Sequence, residues 1–174
     1  MKKLLHILPL LLCLTLTSCE KIKDLLTFEI SESENIQIPA SGIINPPLIS
    51  PVPVAMSSQE TFENNNTKAS LVKNVSLTKL SLTIIDPQAQ NFNFLKDIKI
   101  YIGTDESDKV LLASLDNIPM DVATIELVPS NSKLDTYIKA ESYTLYTVVS
   151  LRSGVADELT VRADSKFKVT ADPL

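Results

Sequence analysis

The chain predicts an all-β fold: an antiparallel β-sandwich of about seven to eight strands with one or two short helical turns. Three observations carry that expectation. Short apolar alternations rich in Ile, Val, Thr and Tyr recur about every 10–15 residues. Turn residues separate them, and no long stretch has the 3.6-residue apolar period of an amphipathic helix. The 174 residues suit one domain with a core of its own, expected over residues 28–174.

The elements follow in order. Phe28-Glu29-Ile30 and Ile36-Gln37-Ile38 alternate and form a first strand, bent across Ser31 to Asn35 and ended by Pro39. From residue 40 to 56, Pro46, Pro47, Pro51 and Pro53 are set among aliphatic residues. Proline removes backbone donors, so this is no interior strand, yet it is too apolar for a solvated linker. It reads as a long loop packed on the domain's flank, or as an extended docking segment. Asn64-Asn65-Asn66-Thr67 offers turn chemistry and a cap for a short helical turn over 68–73. Asn65 and Asn74 also fit the N-glycosylation sequon.

In Val75 to Ile85, Val75 and Leu77 share one parity while Leu80, Leu82 and Ile84 share the other. A bulge near Thr78-Lys79 keeps both sets on the core face. Asp86-Pro87 closes that strand, and Asn91 to Leu95 anchors a connection into the core. Ile98, Ile100 and Ile102 alternate cleanly, and Thr104 to Asp108 turns the chain into Val110 to Ala113. Ala123 to Val128 is a strand ended by Pro129. Leu134, Tyr137 and Ile138 have helical spacing, which suits one turn or an irregular crossover. Tyr143 to Arg152, Leu159 to Val161 and Phe167 to Val169 complete the set. The size resembles that of immunoglobulin-like sandwiches, in broad architecture only, because the Cys-Trp-Cys core of antibody domains is missing.

The start of the chain carries a different message. Lys2 and Lys3 precede an apolar run from Leu4 to Leu16, shorter than the roughly 20 residues that span a bilayer. Small or polar residues follow, the layout of a cleavable export signal. The ending, Leu16-Thr17-Ser18-Cys19, resembles the lipobox of bacterial lipoproteins. That resemblance implies cleavage after residue 18, a diacylglyceryl thioether on Cys19, and a tether over 19–27. It further implies the outer membrane of a Gram-negative cell, since Glu20 is not the aspartate associated with inner-membrane retention. The chain is similar to small envelope lipoproteins of such bacteria.

Cleavage would edit the chemistry downstream. It removes His6 and Cys13, while lipid occupies Cys19, so no disulfide, no His-assisted nucleophile and no His-ligated metal site is expected in the mature chain. Loss of Lys2 and Lys3 leaves 14 basic against 21 acidic residues, a net charge of −7. An acidic surface argues against nucleic acid as a partner. With Gly42, Gly103 and Gly154 as its only glycines, the chain holds no glycine-rich phosphate loop.

Carboxylates cluster at Asp105, Glu106 and Asp108, and again at Asp116 and Asp121 beside Asn117. Either cluster has oxygen donors for calcium, but neither has EF-hand spacing, and solvated turns explain both; no metal and no cofactor is expected. Tyr101 and Tyr146 fall on the polar parity of their strands, where exposed rings would offer a ligand-binding face. The expected function is therefore a non-catalytic, membrane-anchored binding or assembly module for a protein or glycan partner. A fimbrial or adhesin-type subunit built by strand addition, and a carboxylate-dependent hydrolase using Asp105 or Asp116, are the alternatives.

Overall fold

The computed structural model describes residues 26–40, 49–55 and 58–171. Eight strands run in order along the chain: β1 (Thr27–Ile38), β2 (Ile49–Ala55), β3 (Val72–Asp86), β4 (Leu95–Gly103), β5 (Val110–Leu115), β6 (Thr124–Pro129), β7 (Ser142–Leu151) and β8 (Leu159–Ala171). Two short helices, α1 (Ser58–Asn64) and α2 (Asp135–Lys139), lie between them. The all-β expectation is met.

Every ladder is antiparallel, and the pairing follows one rule: β1 with β8, β2 with β7, β3 with β6, and β4 with β5. The chain is thus laid out as one long hairpin that folds over on itself. Further ladders of β3 with β8, β4 with β7 and β5 with β6 join the pairs in the order β1-β8-β3-β6-β5-β4-β7-β2. This is the strand order of a jelly roll. It departs from the immunoglobulin-like expectation, because in those domains the first strand neighbours the second, whereas here β1 neighbours β8. Strand spacing along a chain reports strand number, not which partners meet. The β5–β6 join is brief, with Ala113 opposite Pro129 and Ser114 opposite Val128.

Inside, the apolar parity of each strand forms the core. Val75, Leu77, Leu80, Leu82 and Ile84 of β3 are all buried, and the register shifts between Leu77 and Lys79, where the parity switch demanded a bulge. Ile98, Ile100 and Ile102 of β4 and Ile125 and Leu127 of β6 are buried as expected. So are Phe92 in a 3-10 turn (Phe92–Phe94) and Leu134, Tyr137 and Ile138 at α2.

Two local expectations need correction, the Pro-rich loop and the split last strand, and two others gain detail. The first strand runs through Ser31 to Asn35 without interruption: β1 keeps one unbroken register with β8 from Thr27 to Ile38, which puts half-buried Glu32 and Glu34 on the same parity as Ile30 and Ile36. Inward-pointing charge is tolerated on an edge strand, where it blocks pairing with another chain. The Pro-rich stretch is not all loop, since 49–55 forms β2, an edge strand paired only with β7; residues 41–48 and 56–57 lie outside the described residues. Its prolines fit because an edge strand needs donors on one side only. The helical turn expected over 68–73 is present as a 3-10 turn (Ala69–Leu71), though its N-cap is Lys68 with no side-chain cap, and α1 is a further helix before it, whose Phe62 is buried edge-on to Phe28 with ring centroids 6.1 Å apart. Finally, 159–161 and 167–169 belong to one strand, β8, in which Ala163 and Ser165 continue the inward parity.

Across the β1–β8 ladder, Asp164 accepts from the Ser33 hydroxyl at 2.7 Å and from Arg162 Nε at 2.9 Å. The Ser33 hydrogen bond, aided by the Arg162 guanidinium, holds the Asp164 carboxyl below its ordinary value of 3.8. A depressed carboxyl favours the folded state above the unfolded pKa and loses that contribution as pH falls through the folded one. The acid limb of a stability–pH curve, below about pH 4, should therefore flatten in Asp164→Asn. A limb as steep as in the unsubstituted protein would contradict the assignment.

Candidate functional site

The strand directions sort the loops into two ends. The chain enters β1 at Thr27, and that end also holds the turn after Gly103, helix α2 and the start of β7. The opposite end gathers Ile38–Pro39, the segment 87–94, the segment 116–123 and the segment 152–158.

Side-chain bonds knit this second end together. Arg152 donates to the carbonyl oxygens of Leu95 at 2.9 Å and Ile118 at 2.7 Å, with Met120 Sδ at 3.4 Å from the same guanidinium. Asn93 donates to the Asp121 carboxylate at 2.9 Å and accepts from the Asp121 N–H at 2.6 Å. Asn117 N–H donates to Asp97 at 3.0 Å, and Phe92 N–H to the Val122 carbonyl at 2.8 Å. Three loops are thus fixed to one another before anything binds, which lowers the ordering cost of recognition. Met120 stands 55% exposed on this surface.

Beneath the loops lies a cavity of about 90 Å³. Ile36 and Ile38 of β1 form one wall and Thr147, Val149 and Leu151 of β7 another, with Ile98 of β4 and Phe94 between. No charged side chain is among its described lining. A second hollow of about 160 Å³ shares Phe94 and Val155 with the first, but is lined by Gln90, Asn91, Asn93, Ser153 and Asp157. Nothing in the sequence alone marked this pair of hollows: the apolar parities were readable, but which facing side chains leave space between them was not.

The residues singled out by sequence fare differently. Cys19 lies outside the described residues. Tyr101 and Tyr146 do meet, as direct cross-strand partners on the outer face of β4 and β7, with Leu111 and Pro51 flanking them. They form no open platform: Tyr101 is half-buried, Tyr146 only 6% exposed, and Lys109 Nζ sits 5.2 Å above the Tyr146 ring. Outward parity is not exposure when a lysine stem folds over the ring.

The first acidic cluster is a self-satisfied turn. Asp108 accepts from Thr104 Oγ1 at 2.6 Å and from the N–H groups of Thr104 and Asp105, while Asp105 accepts from the Ser107 hydroxyl and N–H, each at 2.6 Å. These bonds, from the Ser107 hydroxyl on Asp105 and the Thr104 hydroxyl on Asp108, hold both carboxyls below their ordinary value. Tyr137 donates to the Asp108 carbonyl at 2.6 Å, tying α2 to the turn. The turn closes so tightly on Gly103 that a Cβ there would lie 2.6 Å from the Asp105 carbonyl oxygen and 2.8 Å from Asp108 Oδ1. Gly103→Ala should accordingly cost about 1–3 kcal/mol of unfolding free energy in urea titration, and a neutral substitution would contradict that crowding. Asp116 and Asp121 lie at the other end of the sheet, with Asp121 engaged by Asn93. Among the described residues no group of three or more His, Cys, Asp or Glu is placed to hold a metal ion.

At the seam between the edge strands, Glu32, Glu34 and Tyr143 line one narrow crevice with Val54 and Leu80. Burial first, then the charges of Glu32 and Glu34, push the Tyr143 phenol far above its ordinary value, so it stays protonated across the physiological range. Among the described residues no helix is long and apolar enough to cross a membrane.

No family model and no curated protein matches the chain. Solved structures of desmodium yellow mottle tymovirus and of turnip yellow mosaic virus are similar in part. The first covers 85% of this chain and 90% of its own at 12% identity and a TM-score of 0.30. The second covers 84% and 95% at 9% identity and a TM-score of 0.28. Superpositions this loose carry no inference about what this chain does.

Proposed function

We propose that this protein is a lipid-anchored, non-catalytic binding or assembly module of the bacterial outer membrane, engaging a protein or glycan partner through the loop end of its sheet. The observation that carries the reading is the lipobox-like Leu16-Thr17-Ser18-Cys19 placed seven residues before the described chain begins at Leu26. A spacer of that length reaches at most roughly 25 Å, and it joins the domain at Thr27. The knitted loops lie at the other end of β1, a strand of 12 residues and thus on the order of 40 Å long. An anchored chain would present them away from the bilayer, at high effective concentration for a partner in the same envelope.

The alternatives have less support. Strand addition needs an open edge, yet β1 points Glu32 and Glu34 inward and β2 carries Pro51 and Pro53, devices that discourage pairing. A hydrolase built on Asp105 and Asp116 would need both across one cleft, but the turn after β4 and the end of β5 lie at opposite ends of the sheet.

Photo-crosslinking in intact cells tests the reading. A crosslinker at Ser153 or Asp116, on the loop end, should capture one discrete partner, and one at Ser107, on the anchor end, should not. Capture from Ser107 alone, or from none of the three positions, would overturn it.

A further inference from the structure

We infer that the apolar cavity beneath the loop end is a small-molecule site, which takes the short aliphatic tail of an amphiphile whose neutral, hydrogen-bonding head rests in the adjoining amide-lined hollow. This goes beyond the anchored-module reading and stands or falls without it, since it rests on the domain's interior and not on Cys19.

The tail follows from the cavity. Its volume, about 90 Å³, equals roughly three waters' share of the liquid. Water needs two to four polar partners to be held, and among the described lining only Thr147 and Gln37 carry polar side chains. A dry hollow of this kind favours a hydrocarbon group of a few carbons over water. The walls come from both halves of the folded sheet, Ile36 from one and Val149 and Ile98 from the other, so a guest touches carbon on several sides.

The head follows from the neighbouring hollow, which meets the cavity at Phe94 and Val155. Asn91 uses its side-chain oxygen on the Asn93 N–H at 3.2 Å, and Asn93 is held by Asp121 on both its amide atoms. Gln90 Nε2 meets the Asp157 carboxylate only at 3.5 Å, the outer limit of a hydrogen bond. The Gln90 oxygen, the Asn91 amide group and Asp157 are therefore placed to receive a hydroxyl or amide. Asp157 disfavours a carboxylate or phosphate head through like charge.

Methyl-resolved NMR on the full chain carrying Cys19→Ala, so that no acyl group competes, tests this with n-propanol, n-butanol, n-pentanol and n-hexanol. Saturable shifts should appear at the methyls of Ile98, Val149 and Leu151. Affinity should climb about fourfold for each methylene added and then level off once the cavity is full. Hexanoate should bind more weakly than hexanol at neutral pH, and Asp157→Asn should narrow that difference. Val149→Phe and, independently, Leu151→Phe should abolish the shifts while the remaining spectrum is preserved; either variant suffices if the other does not fold. An absence of saturable shifts with every alkanol would show a packing void only and overturn the site. Undiminished binding in the filled variants would overturn its location, and hexanoate binding as tightly as hexanol would overturn the assigned head.

Discussion

Phe167→Ala should lower the free energy of unfolding by about 3–5 kcal/mol, the largest effect of any single substitution considered for the folded domain. Phe167 is 0% exposed on β8, the strand held between β1 and β3. Ile30 stands opposite it on one side and Leu77 on the other, so its ring touches the hydrophobic rows of both neighbours. Truncation removes buried aromatic surface and leaves a hole that two long ladders prevent from collapsing. Domains of this size are stable by only about 5–15 kcal/mol, so the loss is a large fraction of the whole. Urea titration should show a lower midpoint with an unchanged slope, whereas Val128→Ala, at a side chain 64% exposed, should stay within about 0.5 kcal/mol of the parent. A Phe167→Ala loss under about 1 kcal/mol would mean that the β1–β8–β3 packing is wrong.

Cys19→Ala should abolish incorporation of labelled palmitate and release the chain from its stable hold on the membrane, while Cys13→Ala should leave both unchanged. Each buried methylene contributes about 0.8 kcal/mol, and two or more acyl chains are needed for stable anchoring. Acylation at Cys19 would supply them; among the described residues no helix is long and apolar enough to cross a membrane. Palmitate labelling that persists in Cys19→Ala, or is absent from the parent, would contradict the proposed anchor.

Much of the fold was legible because apolar parity is a local property. The bulge between Leu77 and Lys79, the inward row of Ile98, Ile100 and Ile102, and the single turn around Tyr137 each follow from spacing that a few residues define. What failed depended on partners far away in the chain. Ser31 to Asn35 read as a bend in the first strand, and only the ladder to β8 shows that pairing runs through it unbroken. Pro51 and Pro53 read as loop, and only the edge position beside β7 admits them. The polar run through Arg162 to Lys166 split β8 for the same reason. The jelly-roll order is likewise a set of pairings between early and late strands, which alternation does not encode.

The site was less legible than the fold. Sequence parity correctly put Tyr101 and Tyr146 on the outer face, and the register makes them neighbours, but Lys109 closes the ring face that parity left open. The loop end is knit by Arg152 reaching the Leu95 and Ile118 carbonyls, and its two hollows lie beneath it. Carbonyl acceptors leave no mark on composition.

The intact mass of the chain extracted from cell membranes tests the central claim most directly. A lipid-anchored module predicts a polypeptide that begins at Cys19 and carries the added mass of a diacylglyceryl group with two or three acyl chains in all. A chain that begins at Met1, or one cleaved elsewhere with an unmodified Cys19, would contradict it.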